Sequence, residues 1–202
     1  MTDDKKTLRK RFLKMRRELP EAFVQSASGR ISERLSSSDV VRFADGICAF
    51  YPIQGEPMIL PFLERLLWDG KKIFIPKYLP DLANYGMITV ENFADSLQKG
   101  RFDIPEPIGG DNLDDVVLKR PLWIIPGAAF SPDGKRIGFG WGTFDILLKR
   151  GHGIKIGVCY ERQIVDKILA EPHDVPMDYV FTEENIYKCN KNNENKKTGR
   201  CL

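Results

Sequence analysis

The strongest constraint on this chain's fold is a series of short apolar runs separated by longer stretches of helical character. "GICAFY" (46–51), "KKIFIP" (71–76), "PLWIIPG" (121–127), "GIKIGVCY" (153–160) and "YVFT" (179–182) are each too short for a core helix. Runs that are apolar throughout mark strands buried on both faces, as in a parallel sheet covered by helices. Amphipathic segments lie between them. "DDKKTLRKRFLKMRREL" (3–19) places Leu8, Phe12, Met15 and Leu19 at helical spacing, and Pro20 stops it. "EAFVQSASGRISERLSSS" (21–38) predicts a second helix, loosened by Gly29. Pro57 stands at the first turn of a third, running through "MILPFLERLLWDG" (58–70) to Gly70. "FDILLKR" (144–150) predicts a short fourth helix. "YGMITVENF" (85–93) reads as a further strand and "LQKGRFDIPEPIGG" (97–110) as a loop. "ERQIVDKILAEPHDVPMD" (161–178) reads as helix or loop. Strands alternating with helices imply an α/β domain with a largely parallel sheet. We expect one domain over residues 1–187 and a polar, frayed tail over 188–202, where Asn and Lys replace any apolar period.

Composition narrows the function classes. Of 202 residues, 42% are hydrophobic and 29% charged, which suits a soluble globular chain. A net charge of +3 is too small to imply nucleic acid by itself but suits an anionic small molecule. No apolar run is long enough to span a bilayer, and the N-terminus lacks a signal-peptide core. Cys48, Cys159, Cys189 and Cys201 form no CxxC pair, so reduced thiols and a cytoplasmic location are expected. Cys159, in an apolar strand, reads as a buried thiol.

The stretch "GKRIGFGWGTFDILLKR" (134–150) carries most of the chemistry. Gly138, Gly140 and Gly142 alternate with Phe139 and Trp141, just before the predicted helix. Glycines let consecutive N–H groups converge on an anion, and a helix start adds its positive end. Arg136 can grip phosphate oxygens through two donors. Asp145 is a hard oxygen ligand for a Mg²⁺ that arrives with phosphates. The spacing is neither a P-loop nor the dinucleotide fingerprint, and on glycines alone a flexible turn remains an equal reading.

Other candidates each carry a plain alternative. Lys5, Arg9 and Arg16 on the first helix read either as a solvated basic face or as cations folding over a nucleotide phosphate. Glu56 follows a strand through the turn "YPIQGE", where α/β sheets bind ligands; it reads either as an acceptor for a ligand's N–H groups or as a helix-start carboxylate. His173 and Asp174 lack a partnered nucleophile, and Asp174 could be a second metal carboxylate.

In order and spacing, "KKTLRKRFLKMR", "FYPIQGE", "GKKIFIPKY", "FDIPEP", "IIPGAAFSPDGKRIGFGWGTFD", "KIGVCYERQIV" and "EPHDVPMDYVFTE" resemble the 5-formyltetrahydrofolate cyclo-ligases, also called 5,10-methenyltetrahydrofolate synthetases, up to about Tyr187. The resemblance implies a three-layer α/β/α domain with a mixed, largely parallel sheet. It implies use of ATP and Mg²⁺ to close 5-formyltetrahydrofolate into 5,10-methenyltetrahydrofolate, with release of ADP and phosphate. It assigns Lys5 and Arg9 to ATP, with Arg136 as the third cation acting on the phosphoryl group. The run Lys135, Arg136, Ile137, Gly138, Phe139, Gly140, Trp141, Gly142, Thr143 and Phe144 is assigned to ATP, and Phe139 to Thr143 to folate as well. Tyr51 and Glu56 are assigned to folate, and Asp145 and Asp174 to Mg²⁺. Its implied partners are the two substrates, with neither nucleic acid nor membrane, acting as a monomer in the cytoplasm.

Two departures concern folate more than ATP. Thr143 and Phe144 stand where the family usually has two aromatics, often Tyr-Tyr. Pro57, Met58 and Ile59 follow Glu56 where the family usually has an aliphatic, an acidic or amide residue and a threonine. Two rivals follow: an ATP-binding relative acting on another formyl or amide compound, and a non-enzymatic RNA-binding module using the basic first helix. The second is opposed by the near-balanced charge and the lack of an aromatic RNA-binding motif.

Overall fold

The computed structural model of the chain describes residues 4–169, 171 and 174–189. Helix α1 (Lys5–Arg17) starts at Asp4, whose carboxylate accepts the Thr7 N–H at 2.7 Å. Pro20 starts α2 (Glu21–Ser36). Gly29 does not break α2, because its backbone stays helical at an open position. A single turn, α3 (Asp39–Arg42), leads into β1 (Gly46–Cys48). Helix α4 (Leu60–Trp68) begins later than expected: Pro61, not Pro57, occupies its first turn. Strand β2 (Lys72–Leu79) returns antiparallel as β3 (Asn84–Val90).

The segment read as a plain loop instead forms a hairpin, β4 (Leu97–Lys99) with β5 (Pro105–Pro107). Its tip holds Phe102 and Asp103 at φ 58° and 60°, a region that side chains disfavour. Strand β6 (Pro121–Pro126) is buried throughout. A small hairpin follows, β7 (Ala129–Phe130) with β8 (Arg136–Ile137). Then come α5 (Thr143–Arg150), β9 (Ile154–Val158), β10 (Tyr179–Phe181) and β11 (Ile186–Lys188). Between β9 and β10 the described residues form only a short 3₁₀ turn, Glu161–Gln163, and no α-helix. The expected tail starts too early at residue 188: Lys188 pairs with Tyr179, and Cys189 is buried. The rest of that expected tail, 190–202, and His173 lie outside the described residues.

The main sheet has seven strands in the order β11-β10-β9-β6-β1-β2-β3. The five inner strands pair in parallel, and the two edge strands, β3 and β11, run antiparallel. The sheet is therefore mixed and largely parallel, as expected. Alternation along each strand divides the core in two. Ile47, Ile73, Ile124 and Ile156 meet Ile31 and Leu35 of α2 and Leu63 of α4 on one face. Cys48, Phe74, Trp123 and Ile125 meet Leu147 and Leu148 of α5 on the other. Helix α1 joins neither layer. Its Phe12 packs on Ala128, Ala129 and Ile137, so α1 is seated on the β7–β8 hairpin.

Candidate active site

A cleft lies beyond the carboxyl ends of the parallel strands. Phe50 and Tyr51 after β1, Pro76 of β2 and Pro126 at the end of β6 line it. The β4–β5 hairpin contributes Arg101, Ile104, Pro105 and Glu106. The glycine loop closes the remaining side with Gly138, Phe139, Trp141, Gly142, Thr143, Phe144 and Asp145. Apolar walls with a few charged groups are the usual character of a small-molecule site.

The loop's shape follows from its glycines at two positions. Gly140 has φ 97° and Gly142 φ 71°, and Gly142 is the residue from which α5 starts. At the near end of the loop, Arg136 on β8 is buried and turned inward. Its Nη1 donates to the Pro126 carbonyl at 3.2 Å, and its Nη2 pairs with Asp145 in the first turn of α5. Burial draws the guanidinium below its ordinary pKa, and Asp145 and then Asp174 oppose the shift by stabilising the cation. The arginine expected to grip phosphate and the carboxylate expected to hold metal are thus held against each other.

The basic end of α1 approaches the loop from outside the cleft. Arg9 Nε donates to the Gly138 carbonyl at 2.8 Å. Lys5 Nζ lies 2.7 Å from Asp174 and 3.4 Å from Glu171. Asp174 Oδ2 also accepts the Glu171 N–H at 2.8 Å. Gly138 of the loop thus both lines the cleft and accepts from Arg9, while Lys5, four residues earlier on α1, pairs with Asp174. Among the described residues, no three His, Cys, Asp or Glu side chains converge as a metal cluster.

Glu56 sits in the cleft wall, buried at 3% exposure. Its Oε2 accepts the Ile53 N–H at 2.9 Å. Burial raises its carboxyl to a pKa of about 7, against the opposing pull of Arg16 and the Ile53 N–H.

Arg16, Lys135 and Ile137 sit apart from the other expected site residues. Arg16 does not belong to a nucleotide-facing cation set: it is 1% exposed and pairs with Glu56 at 3.6 Å. Lys135 is taken up by Asp133 at 3.0 Å in the β7–β8 turn and does not line the cleft. Ile137 is a core residue against Phe12. Thr143 and Phe144 do line the cleft, and Phe144 also packs on both main clusters, as a core aromatic would.

The sequence reading missed an aromatic assembly at this cleft. Trp141 stacks on Phe102 at 4.8 Å between centroids and 14° between planes, although both rings are largely exposed. The Arg101 guanidinium lies over both the Tyr78 ring (4.5 Å) and the Phe102 ring (4.9 Å). The adjacent Arg101 and Phe102, between two short extended segments, were the available signal.

Residues 1–183 match the sequence profile of the 5-formyltetrahydrofolate cyclo-ligase family. The 5-formyltetrahydrofolate cyclo-ligase of Mycolicibacterium smegmatis is 27% identical, over 88% of this chain and 93% of its own. The Escherichia coli K12 enzyme of the same name is also 27% identical, over 86% of this chain and 97% of its own. The NMR structure of Aquifex aeolicus 5,10-methenyltetrahydrofolate synthetase superposes with a TM-score of 0.80 at 30% identity, covering 98% of this chain and 95% of that one. A match spanning the first helix, the Glu56 turn and the glycine loop takes in every element that builds the cleft, and this chain belongs to the 5-formyltetrahydrofolate cyclo-ligase family.

Proposed function

We propose that this enzyme closes 5-formyltetrahydrofolate to 5,10-methenyltetrahydrofolate with ATP, taking the folate in the cleft and the nucleotide phosphates beside Lys5 and Arg9. The observation that carries the reading is the position of the glycine loop. One face lines a cleft of apolar walls and a buried carboxylate, and the other meets the basic end of α1. A single loop can therefore touch both substrates, with Arg136 at its root.

The chemistry asks little of side chains beyond this. The formyl oxygen is a poor leaving group until it takes the γ-phosphoryl group of ATP. The neighbouring folate nitrogen then attacks the activated carbon, the ring closes and phosphate departs. Positioning and neutralisation of charge suffice for such a transfer. Arg136, Lys5 and Arg9 supply the cations. Glu56 accepts hydrogen bonds from N–H groups of the pterin, and Tyr51, Phe139 and Trp141 provide flat walls. Thr143 lines the same cleft with a short hydroxyl and a methyl where the family usually has an aromatic.

Asp145 and Asp174 would hold Mg²⁺. The donor set fits that ion. Mg²⁺ commonly binds proteins through one or two carboxylates and takes its remaining ligands from phosphates and water. The fields of both carboxylates reach Arg136, so the two lie on one charged locus. A bound Mg²⁺ would shield the phosphate charge. Asp145, paired with Arg136 here, would be the carboxylate beside the guanidinium that takes the phosphoryl oxygens.

Phosphate release measured with and without 5-formyltetrahydrofolate tests this reading. Release that depends on both ATP and the folate is expected. ATP turnover indifferent to the folate would move the reading to a relative with another formyl or amide substrate.

A further inference from the structure

Among the described residues, two buried charged side chains each carry an atom with no hydrogen-bond partner: Arg16 Nη2 and Glu56 Oε1. The two groups interact electrostatically, so among the described residues the unpaired buried charged atoms face each other at one spot in the cleft wall. Buried polar atoms are otherwise nearly always paired, and such a concentration calls for an explanation.

The geometry of Arg16 supplies one. Its Nε donates to the Gln54 carbonyl at 3.0 Å, and its Nη1 donates to the Gly127 carbonyl at 3.4 Å. Its guanidinium lies 4.8 Å from the Phe139 ring centroid. Gln54 and Gly55, at φ 50° and 75°, wrap the turn that carries Glu56 around this end of α1. A Cβ at Gly55 would meet the Arg16 carbonyl oxygen at 2.9 Å, so the turn is fitted closely to the helix. Backbone carbonyls and a ring thus hold the guanidinium in place. It faces Glu56 Oε1 at 3.6 Å, close enough to favour the carboxylate but too far to occupy that oxygen with a hydrogen bond. Without that charge, a carboxyl this deeply buried would hold its proton to still higher pH and lose its value as an acceptor.

We infer that Arg16 is a positioning residue for Glu56, favouring its carboxylate form while leaving Oε1 without a hydrogen-bond partner, for an N–H donor of the bound pterin to fill. The inference rests on Glu56 being the pterin acceptor. Besides Arg16 of α1, Tyr160 from the segment after β9 interacts with Glu56, and the other titratable groups lining the same cleft are Tyr51, Tyr85, Arg101, Glu106, Arg136 and Asp145. Only Arg16 combines burial with a direct ion pair to it.

The test uses purified full-length protein, with kcat and KM measured for each substrate across pH. Arg16→Met keeps length and apolar bulk but removes the charge. We expect its KM for 5-formyltetrahydrofolate to rise about tenfold or more at neutral pH while its KM for ATP stays near the parent's. The acid limb of kcat/KM for the folate should move up by about one to three pH units, the usual effect of an opposite charge on a neighbouring carboxylate, so the deficit shrinks in alkali. Arg16→Lys should bring the limb most of the way back. If Arg16 works through Glu56, Arg16→Met combined with Glu56→Gln should be no worse than Glu56→Gln alone. An acid limb in Arg16→Met that overlays the parent's, or additive losses in the double variant, would overturn the inference. Should Arg16→Met not fold, the double variant, which buries neither charge, decides by the same comparison. A parent-like folate KM in Glu56→Gln alone would instead remove the Glu56 reading on which the inference rests.

Discussion

Replacing Arg136 with alanine is the most informative perturbation of the phosphoryl site. The side chain is 6% exposed, donates to the Pro126 carbonyl and pairs with Asp145, so its removal has a structural and a chemical consequence. Breaking a buried ion pair costs about 3–5 kcal/mol when the abandoned charge stays buried. Asp145 keeps 35% exposure, so water relieves it and the loss should fall below that range. The domain should therefore fold, with a lowered Tm. The chemical loss should be larger in effect. Removing one preorganised donor to developing charge typically slows turnover about 10²–10³-fold. Arg136→Ala should accordingly lower kcat by on the order of a hundredfold or more, with a smaller change in KM for the folate. Arg136→Lys should recover only part, because an ammonium cannot reproduce the two-point fork that now spans Pro126 and Asp145. The assay is steady-state kinetics on variants whose thermal unfolding has been recorded. A folded Arg136→Ala protein with near-parent kcat would refute the argument that this guanidinium neutralises the transferring group.

Asp145→Asn should raise the Mg²⁺ concentration needed for half-maximal rate and lower turnover, with a smaller effect at Asp174, which is already engaged by Lys5; superimposable Mg²⁺ titrations would remove Asp145 from the ligand set. Thr143→Tyr should change KM for 5-formyltetrahydrofolate and leave that for ATP nearly unchanged, since Thr143 lines the cleft; a change confined to ATP would put position 143 at the nucleotide. Phe102→Ala and Trp141→Ala should each weaken folate binding, with a coupling of about 0.5–1.5 kcal/mol between them; additive losses in the double variant would show that their stack contributes nothing to the site.

The parallel core was legible because burial on both faces leaves a local mark: "PLWIIP" is apolar at every position, and each of its residues is buried. The edges were less so. Strand β11 consists of Ile186, Tyr187 and Lys188, a run no more apolar than a loop, and its existence depends on β10 lying alongside. The β4–β5 hairpin was hidden for a similar reason, since two of its six strand residues are prolines. Pro57 offered a helix start that Pro61 in fact takes, and nothing local separates the two.

The site divides along the same line. Gly140, Gly142, Arg136 and Asp145 lie within ten residues of one another, so their spacing alone suggested an anion site. Arg16 was misread although a signal existed. It sits four residues after Phe12, and both are buried positions of α1. A charge on the buried side of a helix needs a partner, but that partner, Glu56, is forty residues away through α2 and β1, and only the assembled fold joins them.

The central claim is that one loop joins a folate cleft to a nucleotide site for ring closure. The most direct measurement is the absorbance of the methenyl product formed by purified protein with ATP, Mg²⁺ and 5-formyltetrahydrofolate. The account predicts product in a one-to-one ratio with ADP, and none when either substrate is omitted. Intact ATP binding with no methenyl product under these conditions would contradict it.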